Sequence, residues 1–234
     1  MKILVMAQGE ASRWNESMSR RIVLHGNVPE YKQLLQVGTE TLLGRTLRLI
    51  KEFGINPDDI AVVAPKSFKG YTSGVRLHTL DSPGKLLNGI AECEGFLLGE
   101  RATIVLGDVL FSHDSLGELL DSSGVFTFLG RIGSNPSTGK NASELFGFAM
   151  ASDVYEQAMS TCRFLTRRGS GSSGKLWVLH STLTEKQPDS VEFIQTYDWT
   201  DDIDSVEEYQ QFWPQLLRMA LLERKGGPLD PRGT

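Results

Sequence analysis

Apolar residues gather along this chain in short unbroken runs, separated by segments with a helical beat. Residues 3–7 are apolar throughout and close on Gln8-Gly9, the pattern of a strand buried on both faces that enters a loop. Residues 60–64, stopped by Pro65, and 102–106, stopped by Gly107-Asp108, repeat it. Between them, residues 41–53 carry Leu43, Leu47 and Ile50 at helical spacing with Gly54 just beyond, and residues 84–98 carry Leu87, Ile90 and Ala91 on one side. Downstream, the spacing predicts short helices over 116–120 and 154–164, strands over 125–129, 146–150, 177–179 and 193–197, and a long helix from Ser205. Buried strands alternating with helices predict an α/β fold: a mixed, mainly parallel sheet flanked by helices on both faces, with antiparallel pairs added by the later strands. One domain over 1–225 is expected, with a mobile Gly/Ser-rich loop at 167–175 and a disordered tail at 226–234.

Composition narrows the function class. The 234 residues are 40% hydrophobic and 23% charged, as in an ordinary globular protein, and the net charge of −5 argues against a general nucleic-acid binder. Cys93 and Cys162 lie far apart, which disfavours a disulfide scaffold or thiolate zinc site, and His25, His78, His113 and His180 show no metal-ligand spacing. The first apolar run is too short for a signal-peptide core, and no stretch reaches the roughly 20 apolar residues of a membrane span. A cytoplasmic protein without a membrane partner is the expectation.

In an open α/β sheet, ligands sit beyond the carboxyl ends of the strands. The first strand runs into Gly9-Glu10-Ala11-Ser12-Arg13, where small residues can turn N–H groups toward phosphate and Arg13 adds a positive fork; taken alone, these residues favour an ordinary strand-to-loop turn with a surface arginine. The strand over 102–106 runs into Gly107-Asp108, placing a carboxylate at the ligand crevice as a candidate divalent-cation ligand, or as a cap of the next turn. Near the end, Asp198, Asp201, Asp202 and Asp204 crowd within seven residues, and a divalent cation would relieve their repulsion. Ser205 with Glu208 fits a capping box, giving Asp204 an alternative place beside a helix N-terminus.

The order Gly9-x-x-x-Arg13, Lys32-x-Leu34-Leu35-x-Val37-Gly38, Leu106-Gly107-Asp108 and Asp202-Ile203-Asp204-Ser205-x-Glu207-Glu208-Tyr209 resembles the nucleotidyltransferases of the GT-A type. These include sugar-phosphate nucleotidyltransferases and related cytidylyl- and guanylyltransferases, and the resemblance runs from residue 1 to about residue 212. It implies transfer of an NMP group from an NTP to a small phosphorylated acceptor, with release of pyrophosphate. It also implies roles. Gln8, Gly9, Glu10, Ala11, Ser12 and Arg13 would wrap the NTP, with Gly107 beside them. Lys32 would reach the α-phosphate or the acceptor phosphate, and Asp108 with Asp204 or Asp202 would hold Mg²⁺. Pro83, Gly84 and Lys85 would contact base and ribose, and Gly147 would help to hold the acceptor. The chain departs from the pattern in three places: Ala11 or Ser12 replaces a second loop glycine, Tyr31 replaces a proline, and an insertion carrying Arg20, Arg21 and His25 separates Arg13 from Lys32. The rival readings are a GT-A glycosyltransferase, whose D-x-D motif is absent because Val109 and Leu110 follow Asp108, and a non-catalytic nucleotide-binding protein.

Three other patterns carry less. Gly169-x-x-x-x-Gly174-Lys175 nearly spells a P-loop, but Leu176 replaces Ser/Thr and a strand is expected to follow. Ser112-His113-Asp114 are successive residues whose side chains cannot converge as a triad. Trp199, Tyr209, Phe212 and Trp213 are expected to pack the last helix, which Pro214 would kink or restart.

Overall fold

The computed structural model of the chain describes residues 1–8, 14, 16, 29–80, 85–167 and 175–224. The first apolar run forms strand β1 (Lys2–Met6). A two-residue hairpin, β2 (Gln36–Val37) and β3 (Glu40–Thr41), leads into helix α1 (Leu42–Glu52). The Thr41 hydroxyl accepts the Gly44 N–H and so caps α1, which ends at Gly54 with φ +79°. Strands β4 (Ile60–Val63) and β5 (Arg76–His78) follow. The helical segment expected over 84–98 is two helices, α2 (Leu86–Glu92) and α3 (Glu94–Leu97), broken at Cys93. Strands β6 (Ala102–Leu106) and β7 (Val109–Leu110) precede α4 (His113–Asp121), capped by Ser112.

The second half holds β8 (Phe126–Arg131), β9 (Glu144–Met150), α5 (Tyr155–Arg167) and α6 (Leu176–Lys186). It ends with β10 (Val191–Gln195), β11 (Asp201–Asp202) and α7 (Val206–Arg224). Residues 177–179, expected as a strand, are thus helical. The apolar triplet is too short to fix a period, whereas Leu176, Leu179 and Leu183 recur at helical spacing and are buried with α5 against the sheet. A helix therefore does follow Lys175. The P-loop reading still fails, because helix α5 and not a strand precedes the segment, and Leu176 offers no hydroxyl. Helix α7 continues through Pro214.

The main sheet has seven strands in the order β10-β8-β9-β6-β1-β4-β5. Strand β1 pairs in parallel with β4 and β6, β4 with β5, and β8 with β10; β9 alone runs antiparallel, between β6 and β8. Successive side chains of a strand point to opposite faces. Ile3 and Val5 accordingly pack with Leu43, Leu47, Ile50, Leu116 and Leu119 of α1 and α4. Leu4 and Met6 pack with Leu87, Ile90, Ala158, Met159 and Leu179 of α2, α5 and α6. A separate cluster with Trp14, Leu110, Trp199, Ile203, Trp213 and Leu216 seats α7, and Trp199 and Trp213 are buried there as expected. Among the described residues, no helix is long and apolar enough to cross a membrane.

Candidate functional site

The carboxyl edge of β6 starts the site. Gly107 donates its N–H to the Met6 carbonyl at 2.9 Å, and a Cβ on it would lie 3.0 Å from that of Ala7, so the missing side chain lets the exit of β6 press against the end of β1. The turn carries Asp108 into β7, which pairs antiparallel with β11 so that Val109 faces Asp202. This small ladder brings the acidic C-terminal segment to the end of β6.

Lys32 begins a single 3-10 turn and is buried at 5% exposure. Its Nζ lies 2.7 Å from Asp108 Oδ2 and 3.0 Å from Asp204 Oδ1. Three residues distant in sequence thus meet at one ammonium. Burial alone would lower the pKa of Lys32, but the charges of Asp108, Asp204 and Asp202 outweigh it and hold the group protonated.

Behind Lys32, one carboxylate oxygen each from Glu144, Asp202 and Asp204 lie within 4.8 Å of one another. Glu144 arrives because β9 runs opposite to β6, so that its first residue starts at the edge where β6 ends. Burial, then the neighbouring Asp204, push the Asp202 carboxyl well above the ordinary carboxylate range. Lys140, from the connection between β8 and β9, opposes this: its Nζ lies 2.9 Å from Asp202 Oδ1, 3.2 Å from Glu208 Oε2 and 3.7 Å from Asp201 Oδ1.

Beneath these groups, Arg131 bonds Asp201 at 2.8 Å and the Thr200 carbonyl at 3.0 Å, and Asn135 donates to Asp201 Oδ2 at 2.9 Å. Arg131, Asn135 and Asp201 are all buried, and together they fix β11. Asp204 donates its backbone N–H to Glu208 while the Ser205 hydroxyl accepts the Glu208 N–H, a capping box shifted by one residue from the expected form. Asp198 takes part in a different contact: it accepts from the hydroxyls of Ser112 and Ser115, anchoring α4.

A second feature opens beyond β1, β4 and β5. Gln8, Ala64, Pro65, Lys66, Thr79 and Leu80 line a cavity of about 350 Å³. Gln8 is buried, and among the described residues its Nε2 has no hydrogen-bond partner.

The structure therefore brings together Lys32, Asp108, Asp202 and Asp204, with Gly107 in the turn beside them. Gly147 lies within β9, opposite Val105 and Leu129, where a Cβ would come 2.6 Å from the Ile104 carbonyl oxygen; its small size answers to packing between strands. Lys85 stands at the N-terminal boundary of α2. Gly9, Glu10, Ala11, Ser12, Arg13, Pro83 and Gly84 lie outside the described residues, as do Arg20, Arg21 and His25 of the insertion. Glu144 and Lys140 were not singled out from sequence. An acidic residue opening an apolar strand was the available signal for Glu144, while Lys140 sits in a polar connection with nothing to mark it.

No protein-family model matches the chain, and no curated protein matches it. Solved structures do. A nucleotidyl transferase from Methanothermobacter superimposes with a TM-score of 0.66 at 17% identity, covering 93% of this chain and 97% of that one. An inositol-1-phosphate CTP transferase from T. maritima gives 0.62 at 15% identity, with 97% and 98% covered. A CTP:phosphocholine cytidylyltransferase from Streptococcus pneumoniae gives 0.59 at 16%, with 90% and 96% covered. The chain has the nucleotidyltransferase-like fold.

Proposed function

We propose that the chain transfers a nucleotidyl group from an NTP to a small phosphorylated acceptor, releasing pyrophosphate, with Mg²⁺ as cofactor. The observation that carries this reading is the convergence of Lys32, Asp108 and Asp204 at the carboxyl edge of the sheet, with Glu144 and Asp202 adjacent. A triphosphate needs cations around it, and a divalent ion needs hard oxygen donors; this cluster offers both. Two of the structurally similar proteins are named for CTP with phosphocholine or inositol 1-phosphate, which supports an acceptor that carries a phosphate.

The donor set fits Mg²⁺, because Glu144, Asp202 and Asp204 present three carboxylate oxygens within 4.8 Å. These residues, with Asp108, would hold the ion, which when bound neutralises phosphate charge and fixes its orientation. The chain's own groups do the rest. Lys32 stays charged and presents its ammonium to the α-phosphate or the acceptor phosphate, and Arg13, which follows β1 in sequence, would add a second cation. Lys140 and Arg131 keep the acidic segment in place from behind. An acceptor phosphate is already ionised near neutral pH, so its oxygen attacks the α-phosphorus without a general base. Catalysis then rests on positioning and on charge neutralisation. Gly107, Pro83, Gly84, Lys85 and residues 9–12 are assigned to the nucleotide. Cytoplasmic action accords with two buried free thiols, each pushed up to about 12 by burial and so unreactive.

The test is a pyrophosphate-release screen of ATP, CTP, GTP and UTP, with Mg²⁺, against sugar 1-phosphates and phospho-alcohols. One productive pair is expected, and Asp108→Ala should abolish it. Unchanged turnover in that variant removes Asp108 from the mechanism. Glycosyl transfer from a nucleotide sugar without pyrophosphate release would replace the reading altogether.

A further inference from the structure

Lys32 holds two of the carboxylates that the proposed metal site draws on. Its Nζ lies 2.7 Å from Asp108 Oδ2 and donates to Asp204 Oδ1 at 3.0 Å. Asp204 also belongs to the group in which one oxygen each from Glu144, Asp202 and Asp204 lie within 4.8 Å of one another. A divalent ion taken up by Asp108 and Asp204 would therefore meet the ammonium on the same two side chains. Positive charges at such close quarters repel strongly where water is scarce, and Lys32 is buried.

The ammonium is also engaged where it stands. Bonded between two aspartates it has little to offer a phosphate, and the carboxylates around it repel a triphosphate. Its stem can move. Lys32 opens a single 3-10 turn, and its ammonium ends a flexible four-carbon chain, so it can leave both aspartates by side-chain rotation alone. The acidic segment is braced independently of it. Val109 pairs with Asp202, the Asp204 N–H bonds Glu208, and Lys140 Nζ lies 2.9 Å from Asp202 and 3.2 Å from Glu208. The carboxylates thus keep their places when Lys32 departs.

We propose that Lys32 is an internal counter-ion of Asp108 and Asp204 that yields its place to a divalent cation, and that the NTP phosphates then take up the displaced ammonium. The proposal rests on the nucleotidyl-transfer reading and deepens it, because one side chain then couples metal binding to nucleotide binding. Before the exchange, Lys32 balances the aspartates and the site turns a triphosphate away. After it, Lys32 is released to reach phosphate. Removing the ammonium should therefore help the bare ion to bind. A lysine that only grips phosphate would leave that affinity unchanged.

Two measurements test this, and the first needs no variant. Wild type is reductively methylated for short times alone, with Mg²⁺, and with Mg²⁺ and each of ATP, CTP, GTP and UTP, and every lysine is scored by mass spectrometry. Lys32 should be protected alone, label faster with Mg²⁺, and be protected again by at least one NTP. Lys140 keeps Glu208 and Asp201 as partners and should stay protected throughout, an internal control. In the second, Mg²⁺ alone is titrated by calorimetry into wild type and Lys32→Met, both shown to be folded by circular dichroism. The variant should bind about tenfold more tightly or better, the scale of one ion pair that no longer has to be broken. Lys32 labelling that Mg²⁺ leaves unchanged, or a variant that binds Mg²⁺ no more tightly than wild type, overturns the exchange. Labelling that rises with Mg²⁺ but falls with no NTP overturns the hand-over to phosphate. Mg²⁺ binding by neither protein removes the cofactor and with it the nucleotidyl-transfer reading, an outcome distinct from equal binding by both.

Discussion

Replacing Lys32 by methionine keeps an unbranched stem of similar length and removes the ammonium. The variant strands Asp108 and Asp204, each of which lies within 3.0 Å of Nζ, close to the buried Asp202. Removing one partner of a buried ion pair costs about 3–5 kcal/mol. The Asp108 side chain keeps 22% of its exposure, so water relieves part of the penalty, and the lower end, about 3 kcal/mol, is expected. At about 2–4 °C per kcal/mol for a chain of this size, Tm should fall by roughly 6–12 °C. Because the carboxylates hold the Lys32 pKa above its ordinary value, its contribution is complete below the ordinary lysine range and is lost only as pH rises through the folded value. The gap between wild type and variant should therefore stay flat around neutrality. Urea unfolding at 25 °C, without divalent cations, measures it for Lys32→Met, Asp204→Asn and the pair. The pair should recover part of the loss, with a coupling of about 2 kcal/mol. Additivity within about 0.5 kcal/mol would mean that the ammonium does not hold Asp204, and the account of the site would lose its centre.

Other consequences follow from neighbouring residues. The raised carboxyl of Asp202 favours the fold while protonated, and this contribution is lost as pH rises from the ordinary carboxylate range through its folded value. In metal-free buffer, Asp202→Asn should match wild type in acid and gain on it by up to about 1.4 kcal/mol per pH unit within that window, as read by thermal melts; a pH-independent difference counts against the shift. Gly147→Ala should destabilise by about 1–3 kcal/mol through the clash of its Cβ with the Ile104 carbonyl and Leu119, and a melt within 1 kcal/mol of wild type would show that β9 can yield there. Ser112→Ala removes the acceptor for the Ser115 N–H and a donor to Asp198, and about 1 kcal/mol of stability should go with them in urea titration.

The alternating apolar runs were enough to place the three central parallel strands and α1, because burial on both faces leaves a strand no polar position and a helix bound to that sheet must repeat its leucines every three or four residues. Asp108 was legible for the same reason: a carboxylate immediately after a buried strand has to lie at the sheet's edge. The apolar triplet at 177–179 carried too little period to declare itself, and contact with α5 and the sheet made it helical. Sequence order read Lys32 as a solvated lysine except by likeness to a family, and Asp202 and Asp204 as part of an acidic cluster that a divalent cation would relieve. Their meeting depends on the pairing of Asp202 with Val109 and on the Arg131–Asp201 bond. Glu144 and Lys140 enter through the reversal of β9 and the connection before it. Periodicity is a property of neighbours along the chain, whereas a site of like charges exists only where distant segments are forced together with cations to balance them, and that balance was struck by the tertiary structure alone.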